Sequence, residues 1–411
     1  MNRISAIFTG NELLNGSTAD LNCAALGKAL TAHGLVLWQS CCVPDLPAAI
    51  HYALGSVLET ADIVILGGGL GSTEDDVTLK AAARFFGLEL TENAEVRDGL
   101  QKFWAERHRG PCPARLLRQA LVPAGAEILP NHLGSAPGLA FSALYDRKVR
   151  HLFLLPGPPA EFQALLQKSV LPKLAELTPE RRVSLGFFAP GVGEMKLSAL
   201  ARKLAIPNGL QLSYTSSIAG CRCDASGADA ATVRETLERL RRELPAPLEV
   251  GQTDLAAAVL AALQKRQWLL SGAESCTGGM IFSRLTDVPG ASAVLAGGAV
   301  TYSNDLKHRL LGVPTETLAQ YGAVSAETAA AMAAGAAEKF QTDCAYATTG
   351  IAGPDGGTER KPVGLVYLGI ASPRGVRTLE LRLHGDRAAI RRAARDYTLL
   401  ELYRELTEES C

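Results

Sequence analysis

Residues 273–357 gather the ingredients of serine chemistry: Ala273, Glu274, Ser275, Cys276, Thr277, Gly278 and Gly279, then Thr301, Tyr302, Ser303, Asn304 and Lys307, then Thr349 and Gly350 leading into the glycine-rich turn 351–357. A serine hydroxyl attacks a carbonyl only when a base takes its proton, and a lysine does so when its amine is neutral. A helix pattern at 304–311 puts Lys307 in the first turn, where the dipole disfavours a cation and desolvation lowers the pKa further. The plain alternative is a surface lysine. The 274–279 turn opens a helix near Met280, so Ser275 and Thr277 serve equally as an anion cradle or as ordinary caps. Arg387 begins the last helix, where a phosphate or carboxylate partner, or pairing with Asp386, would account for a cation. Arg391, Arg392 and Arg395 read as a solvated helix face.

A second constellation lies near the amino end. The apolar run 63–66 passes into Gly67, Gly68, Gly69, Leu70, Gly71, Ser72, Thr73, Glu74, Asp75 and Asp76, with a helix pattern from about Val77. Glycines let a backbone approach a ligand closely. Asp75 and Asp76 read either as helix caps or as a cap plus a ligand for a divalent cation over a pyrophosphate. The loop after the first strand, with Glu12, Asp20 and Asn22, is expected at the same edge. Lys80, Asn131, Ser135, Gly138 and the 156–161 loop are further candidates.

The elements that must position these residues alternate in period. Strand patterns at 4–8, 36–43 and 63–66 enclose helix patterns at 22–32 and 48–60, a β-α-β-α-β start that predicts a parallel sheet covered by helices. Short strands at 183–188 and 210–213 and a mixed-charge helix at 231–244 suggest a small α+β connecting segment. A helix at 253–265 and strands at 268–270, 294–302, 345–350, 365–370 and 378–383 then build a second α/β domain, closed by a helix to Leu406.

The chain has 411 residues, enough for two or three domains. With 47% hydrophobic and 20% charged residues and net charge −1, it carries no field that would favour nucleic acid or an anionic membrane. The amino-terminal residues lack a signal-peptide pattern and no long uncharged apolar run follows, so a cytoplasmic location is expected. Nine cysteines fit reduced thiols better than a disulfide framework, and Cys221 with Cys223 is a lone CxC.

AESCTGG, VTYSNDLK, GAVS, TTGIAGPDGG, KPVG and GDR, in that order, resemble the nicotinamide mononucleotide deamidase domain of the CinA (competence/damage-inducible) family. ELLNG, GGGLGSTEDDVT, GSAPG and LPGPPAEF resemble that family's N-terminal domain, with Ser72 where a turn proline is usual. The resemblance implies three parts. These are a molybdopterin-binding-like parallel α/β domain at 1–168 with metal-dependent ADP-ribose pyrophosphatase activity, a KH-like segment at 169–250, and an α/β deamidase at 251–411. It implies Ser292 and Lys307 as the catalytic dyad with Tyr302 beside them, and Ser275, Thr277, Thr349, Gly350 and Arg387 as substrate-binding positions. In the N-terminal domain it implies a pyrophosphate site at Glu12, Gly68, Gly69, Gly71, Thr73, Asp76 and Ser135, with Asp75 and Asp76 holding Mg, Mn or Co, and K+ a further candidate. No cofactor is expected for deamidation. The expected partners are a pyridine nucleotide, ADP-ribose and a second copy of the chain, without nucleic acid or membrane. Three rivals stay open: Ser275 as the nucleophile, an N-terminal domain that only binds a nucleotide and regulates, and a non-enzymatic accessory in competence or DNA damage.

Overall fold

In a computed structural model, which describes residues 2–408, the chain divides into two compact units, the first ending at Ser184 and the second beginning at Leu185. The division differs from the three-part expectation: residues 169–184 stay with the first unit, and the connecting segment joins the C-terminal one.

The first unit is built on strands β1 (Ile4–Thr9), β2 (Leu37–Val43), β3 (Ile63–Gly67), β4 (Leu90–Glu92), β5 (Leu121–Pro123), β6 (Glu127–Leu129), β7 (Gly138–Tyr145) and β8 (Lys148–Leu155). Six form one sheet in the order β2-β1-β3-β8-β7-β6, while β4 and β5 pair separately. The expected parallel sheet is a mixed one: β2, β1, β3 and β8 run parallel, and the β7–β8 hairpin turns the edge antiparallel. Strand β1 shows why it is central. Ile4, Ala6 and Phe8 pack with Leu26, Leu30 and Phe162 on one face, and Ile7 packs with Ile50 and Leu54 on the other. A strand buried on both faces reads as a continuous apolar run, as residues 4–8 do.

The second unit begins within β9 (Val183–Pro190), which with β10 (Gln211–Ser217) and β11 (Gly220–Gly227) forms a small sheet in the order β10-β11-β9 in which β10 and β11 are antiparallel. Cys221 and Cys223 are both buried on β11, and burial pushes the Cys223 thiol up to about 12. They read as core thiols. Strands β12 (Leu270–Glu274), β13 (Leu295–Val300), β14 (Cys344–Gly350), β15 (Leu365–Ser372) and β16 (Gly375–Arg382) follow in the order β13-β12-β14-β15-β16.

The strands β13, β12 and β14 run parallel, with β15 and β16 antiparallel beyond them. Helices Leu255–Arg266 and Arg387–Thr407 contribute Val259, Leu263, Leu399 and Leu400 to a core that includes Leu270 and Tyr346. The alanine-rich helix Ala326–Phe340 brings Met332, Ala333 and Ala336 against Ala273, Ala345 and Ala347. The topology sends the segments after β12, β13, β14 and β16 to one edge of the sheet, where ligands bind in open α/β folds.

Candidate active site

Strand β12 ends at Glu274, and Ser275 is the first residue beyond it, held by its N–H donating to the Thr348 carbonyl at 2.9 Å. Neighbouring β13 ends at Val300, and the Thr301 N–H donates to the Glu274 carbonyl at 2.8 Å. The chain then enters the helix Asn304–Leu311, whose cap is Ser303, with Oγ accepting from Leu306 N. This geometry buries Lys307 at 1% exposure and brings its Nζ to 3.1 Å from Ser275 Oγ, while it donates to the Thr301 carbonyl at 2.8 Å. Burial lowers the Lys307 pKa from its ordinary value, and nearby Cys276 opposes this. Cys276 itself is unfit as a nucleophile, because burial pushes its thiol up to about 11.

Ser292 is not part of this meeting. It lies on the short turn Ala291–Ala293, before β13, whereas Lys307 follows β13. Six residues of strand at about 3.3 Å each separate the two ends by on the order of 20 Å. The exposed Ser292 instead borders a shallow depression with Phe282, Val288, Pro289 and Leu295. The serine that the sheet delivers to the lysine is Ser275.

Two anchors hold the turn that carries Ser275. The buried Glu274 carboxylate accepts from Ile281 N at 3.3 Å, Phe282 N at 2.9 Å and the Tyr346 hydroxyl at 3.0 Å, fixing the start of the helix Met280–Thr286. On the other side Arg391 donates from Nε to the Cys276 carbonyl at 3.1 Å and from Nη2 to the Thr277 carbonyl at 2.7 Å. Arg391 is therefore no solvated helix residue. The sequence hid its role because its partners lie 115 and 114 residues earlier.

The other expected positions divide. The Thr277 hydroxyl is fully buried and pairs with Thr348 at 2.7 Å, and the Thr349 hydroxyl donates to the Ala323 carbonyl at 2.6 Å. Each hydroxyl thus has a hydrogen-bond partner within the scaffold. Gly350 ends β14 beside them. Tyr302 is 62% exposed, and its hydroxyl accepts from Arg387 Nη2 at 3.1 Å. Arg387 also donates to the Gly353 carbonyl at 2.8 Å, while Asp386 caps the last helix through Ala389 N. Among the described residues no carboxylate pairs with the Arg387 guanidinium, which leaves its charge available at the rim.

In the first unit the glycine turn after β3 packs against neighbouring threonines. A Cβ on Gly68 (φ +104°) would stand 2.6 Å from the Thr9 carbonyl, and one on Gly69 (φ +67°) would strike the Thr78 hydroxyl. Thr9 and Thr78 join through their hydroxyls at 3.1 Å, and Gly68 N donates to the Leu155 carbonyl, so the segments after β1, β3 and β8 share one edge. Exposed Glu12 lies in the short helix Asn11–Leu14, and half-buried Ser135 in a loop.

Asp76 does not cap the helix Thr78–Phe85, whose cap position is Val77. Its carboxylate closes the preceding loop instead, accepting from Gly71 N at 2.7 Å and Thr73 N at 2.7 Å and from the Thr73 hydroxyl. Asp75 is exposed, with its carboxyl held below its ordinary pKa chiefly by a hydrogen bond from Thr73. Among the described residues no three His, Cys, Asp or Glu side chains converge as a metal would need. Asp76 is engaged by the loop, while the Asp75 carboxylate stays at the surface, where a cation would also need water or phosphate oxygens. Asp76→Asn is expected to destabilise the first unit by about 1–3 kcal/mol, since an amide would face one of the loop donors with its own NH2. Denaturant unfolding checks this, and an unchanged midpoint would contradict it.

Residues 252–406 match the family described as "CinA C-terminal domain", and residues 5–176 match "Probable molybdopterin binding domain". A "CinA-like protein" of Geobacter sp. (strain M21) is 40% identical over 396 residues, covering 95% of this chain and 94% of that one. Another "CinA-like protein", from Geobacter sulfurreducens, is 40% identical over 403 residues, covering 95% of each chain. Among solved structures, a competence/damage inducible protein CihA from Agrobacterium tumefaciens is 45% identical, with a TM-score of 0.36, covering 38% of this chain and 94% of that one. No helix among the described residues is long and apolar enough to cross a membrane.

Proposed function

Because the chain belongs to the CinA family and its buried Lys307 amine meets the Ser275 hydroxyl, we propose that its C-terminal part is an amidohydrolase acting on the carboxamide of nicotinamide mononucleotide. The products are nicotinic acid mononucleotide and ammonia. The observation that carries the reading is the 3.1 Å approach of Nζ to Oγ, with burial favouring the neutral amine.

Neutral Lys307 takes the Ser275 proton as Oγ attacks the carboxamide carbon. The negative charge that develops on the carbonyl oxygen is met by main-chain N–H groups of the 276–279 turn other than that of Gly278, which donates to the Ser275 carbonyl at 3.1 Å. Lys307 then returns the proton to the nitrogen, the C–N bond breaks and ammonia leaves. A water molecule, deprotonated by the same lysine, hydrolyses the acyl-Ser275 ester. Arg387 binds the 5′-phosphate, and the exposed Tyr302 ring, oriented by its hydrogen bond to Arg387, lies against the pyridinium.

The first unit supports a narrower reading, a nucleotide-binding or regulatory module at the edge formed by Thr9, Gly68, Gly69 and Thr78. Metal-dependent cleavage of ADP-ribose at this edge would draw on exposed Asp75 and the pyrophosphate's own oxygens to hold the cation. The purified chain is expected to release ammonia from nicotinamide mononucleotide with one equivalent of the acid nucleotide, undiminished by a chelator, because serine–lysine chemistry requires no Lewis acid. Absence of ammonia release would defeat the substrate assignment.

A further inference from the structure

Arg391 sits in the second turn of the helix Arg387–Thr407 and spends its donors on two successive carbonyls, those of Cys276 and Thr277, directly after Ser275. Among the described residues it forms no ion pair with a carboxylate, so its charge is directed at main-chain oxygens alone. The turn that it grips contains two glycines in the left-handed region, Gly278 at φ +62° and Gly279 at φ +89°. Glycines permit such a turn and also permit others. Something outside the turn must select the one conformation in which Ser275 Oγ meets Lys307 Nζ.

Resting on the reading of Ser275 as nucleophile, we infer that Arg391 is a positioning residue, locking the peptide planes after Ser275 for attack on the carboxamide. In a trans peptide the C=O and the following N–H point in opposite directions. With the Cys276 carbonyl drawn to the guanidinium, the Thr277 N–H is directed away from Arg391. Rotation of that one peptide would reverse both. The planar fork of arginine suits two adjacent carbonyls, whereas a lysine ammonium satisfies one at a time in a fixed geometry.

The test compares the full chain with Arg391→Met and Arg391→Lys. Phenylmethylsulfonyl fluoride supplies a readout independent of the substrate: Oγ of Ser275 attacks sulfur, the S–F bond breaks, fluoride leaves, and Lys307 takes the proton. Arg391→Met is expected to slow both labelling of Ser275, followed by mass spectrometry, and kcat for ammonia release by about 10²-fold, the cost of a misplaced reacting group. KM should change little, and the acid limb of the pH profile, set by Lys307, should not move. Arg391→Lys is expected to recover part of the rate, and it carries the same comparison if the methionine variant does not fold. Parental labelling rates in folded Arg391→Met or Arg391→Lys protein would overturn the inference, as would a loss confined to KM. If the parent labels at Ser275 yet releases no ammonia, the substrate assignment fails while the labelling ratio still decides the role of Arg391. A parent that does not label at Ser275 overturns both.

Discussion

Ser275→Ala and Lys307→Ala are each expected to lower ammonia release from nicotinamide mononucleotide by at least about 10³-fold, with Ser292→Ala within about two-fold of the parent. The asymmetry follows from strand direction. Ser275 and Lys307 both follow the carboxyl ends of adjacent parallel strands, β12 and β13, while Ser292 precedes β13. Removing Ser275 leaves the lysine without the hydroxyl it meets, and removing Lys307 takes away the amine that faces the serine. The double variant should therefore be little worse than either single one, since groups that act as a unit do not add. Steady-state assays on the three single variants and the double variant decide it. Parental turnover in Ser275→Ala, or a collapse in Ser292→Ala, would remove the Ser275–Lys307 pair.

Much of this site could be read from the chain before any fold was known. The helix at 304–311 and the placement of Lys307 in its first turn agree with the structure, as do Ser275 beside a turn that opens a helix and Arg387 at the head of the last helix. The choice between two serines could not be read. Ser292 enters only through the family resemblance, and the strand pattern before Ser275 covers only 268–270. The strand itself runs Leu270–Glu274, and a strand ending at Glu274 would have placed Ser275 at the carboxyl edge. Gly272 disguised the run, because glycine is a poor strand former. It is required there because a Cβ would collide with the Tyr346 ring.

The helix Ala326–Phe340 carries little apolar periodicity because alanine fills both its faces, even though alanine is the best helix former. Its cap, Ser325, closes the GAVS motif, and its Oγ accepts from Thr328 N. In the first unit the β1-α-β2-α-β3 order follows from period alone, but the antiparallel β7–β8 edge does not. Local alternation fixes which side chains face inward and leaves strand direction to the connections. The pair Asp75 and Asp76 shows the same limit. Two carboxylates before a helix suggest a cap or a cation, and only the loop geometry reveals that Asp76 is occupied by Gly71 and Thr73.

Lys307→Met is expected to abolish turnover and at the same time to raise thermal stability at neutral pH, by an amount that depends on pH in a defined direction. Burial depresses the Lys307 pKa below the ordinary 10.5, so between the folded and the unfolded pKa the unfolded chain holds a proton that the folded chain lacks. The parent's stability must then rise with pH across that window. Below the folded pKa the parent carries the full cost of burying an ammonium, offset in part by donation to the Thr301 carbonyl and Ser275 Oγ. Methionine fills a similar volume and has nothing to protonate. Its advantage should be largest below the folded pKa and should shrink as pH approaches 10.5. The parent's activity should obey the same titration with a catalytic consequence. The rate climbs with pH as the neutral amine accumulates and levels off before 10.5, where a solvated lysine would still be titrating. Melting curves of both proteins across alkaline pH, set against the parent's kcat/KM profile, measure one pKa in two ways. A Tm difference that grows with pH, or a rate still rising at 10.5, would mean that Lys307 is not the depressed base on which Ser275 depends.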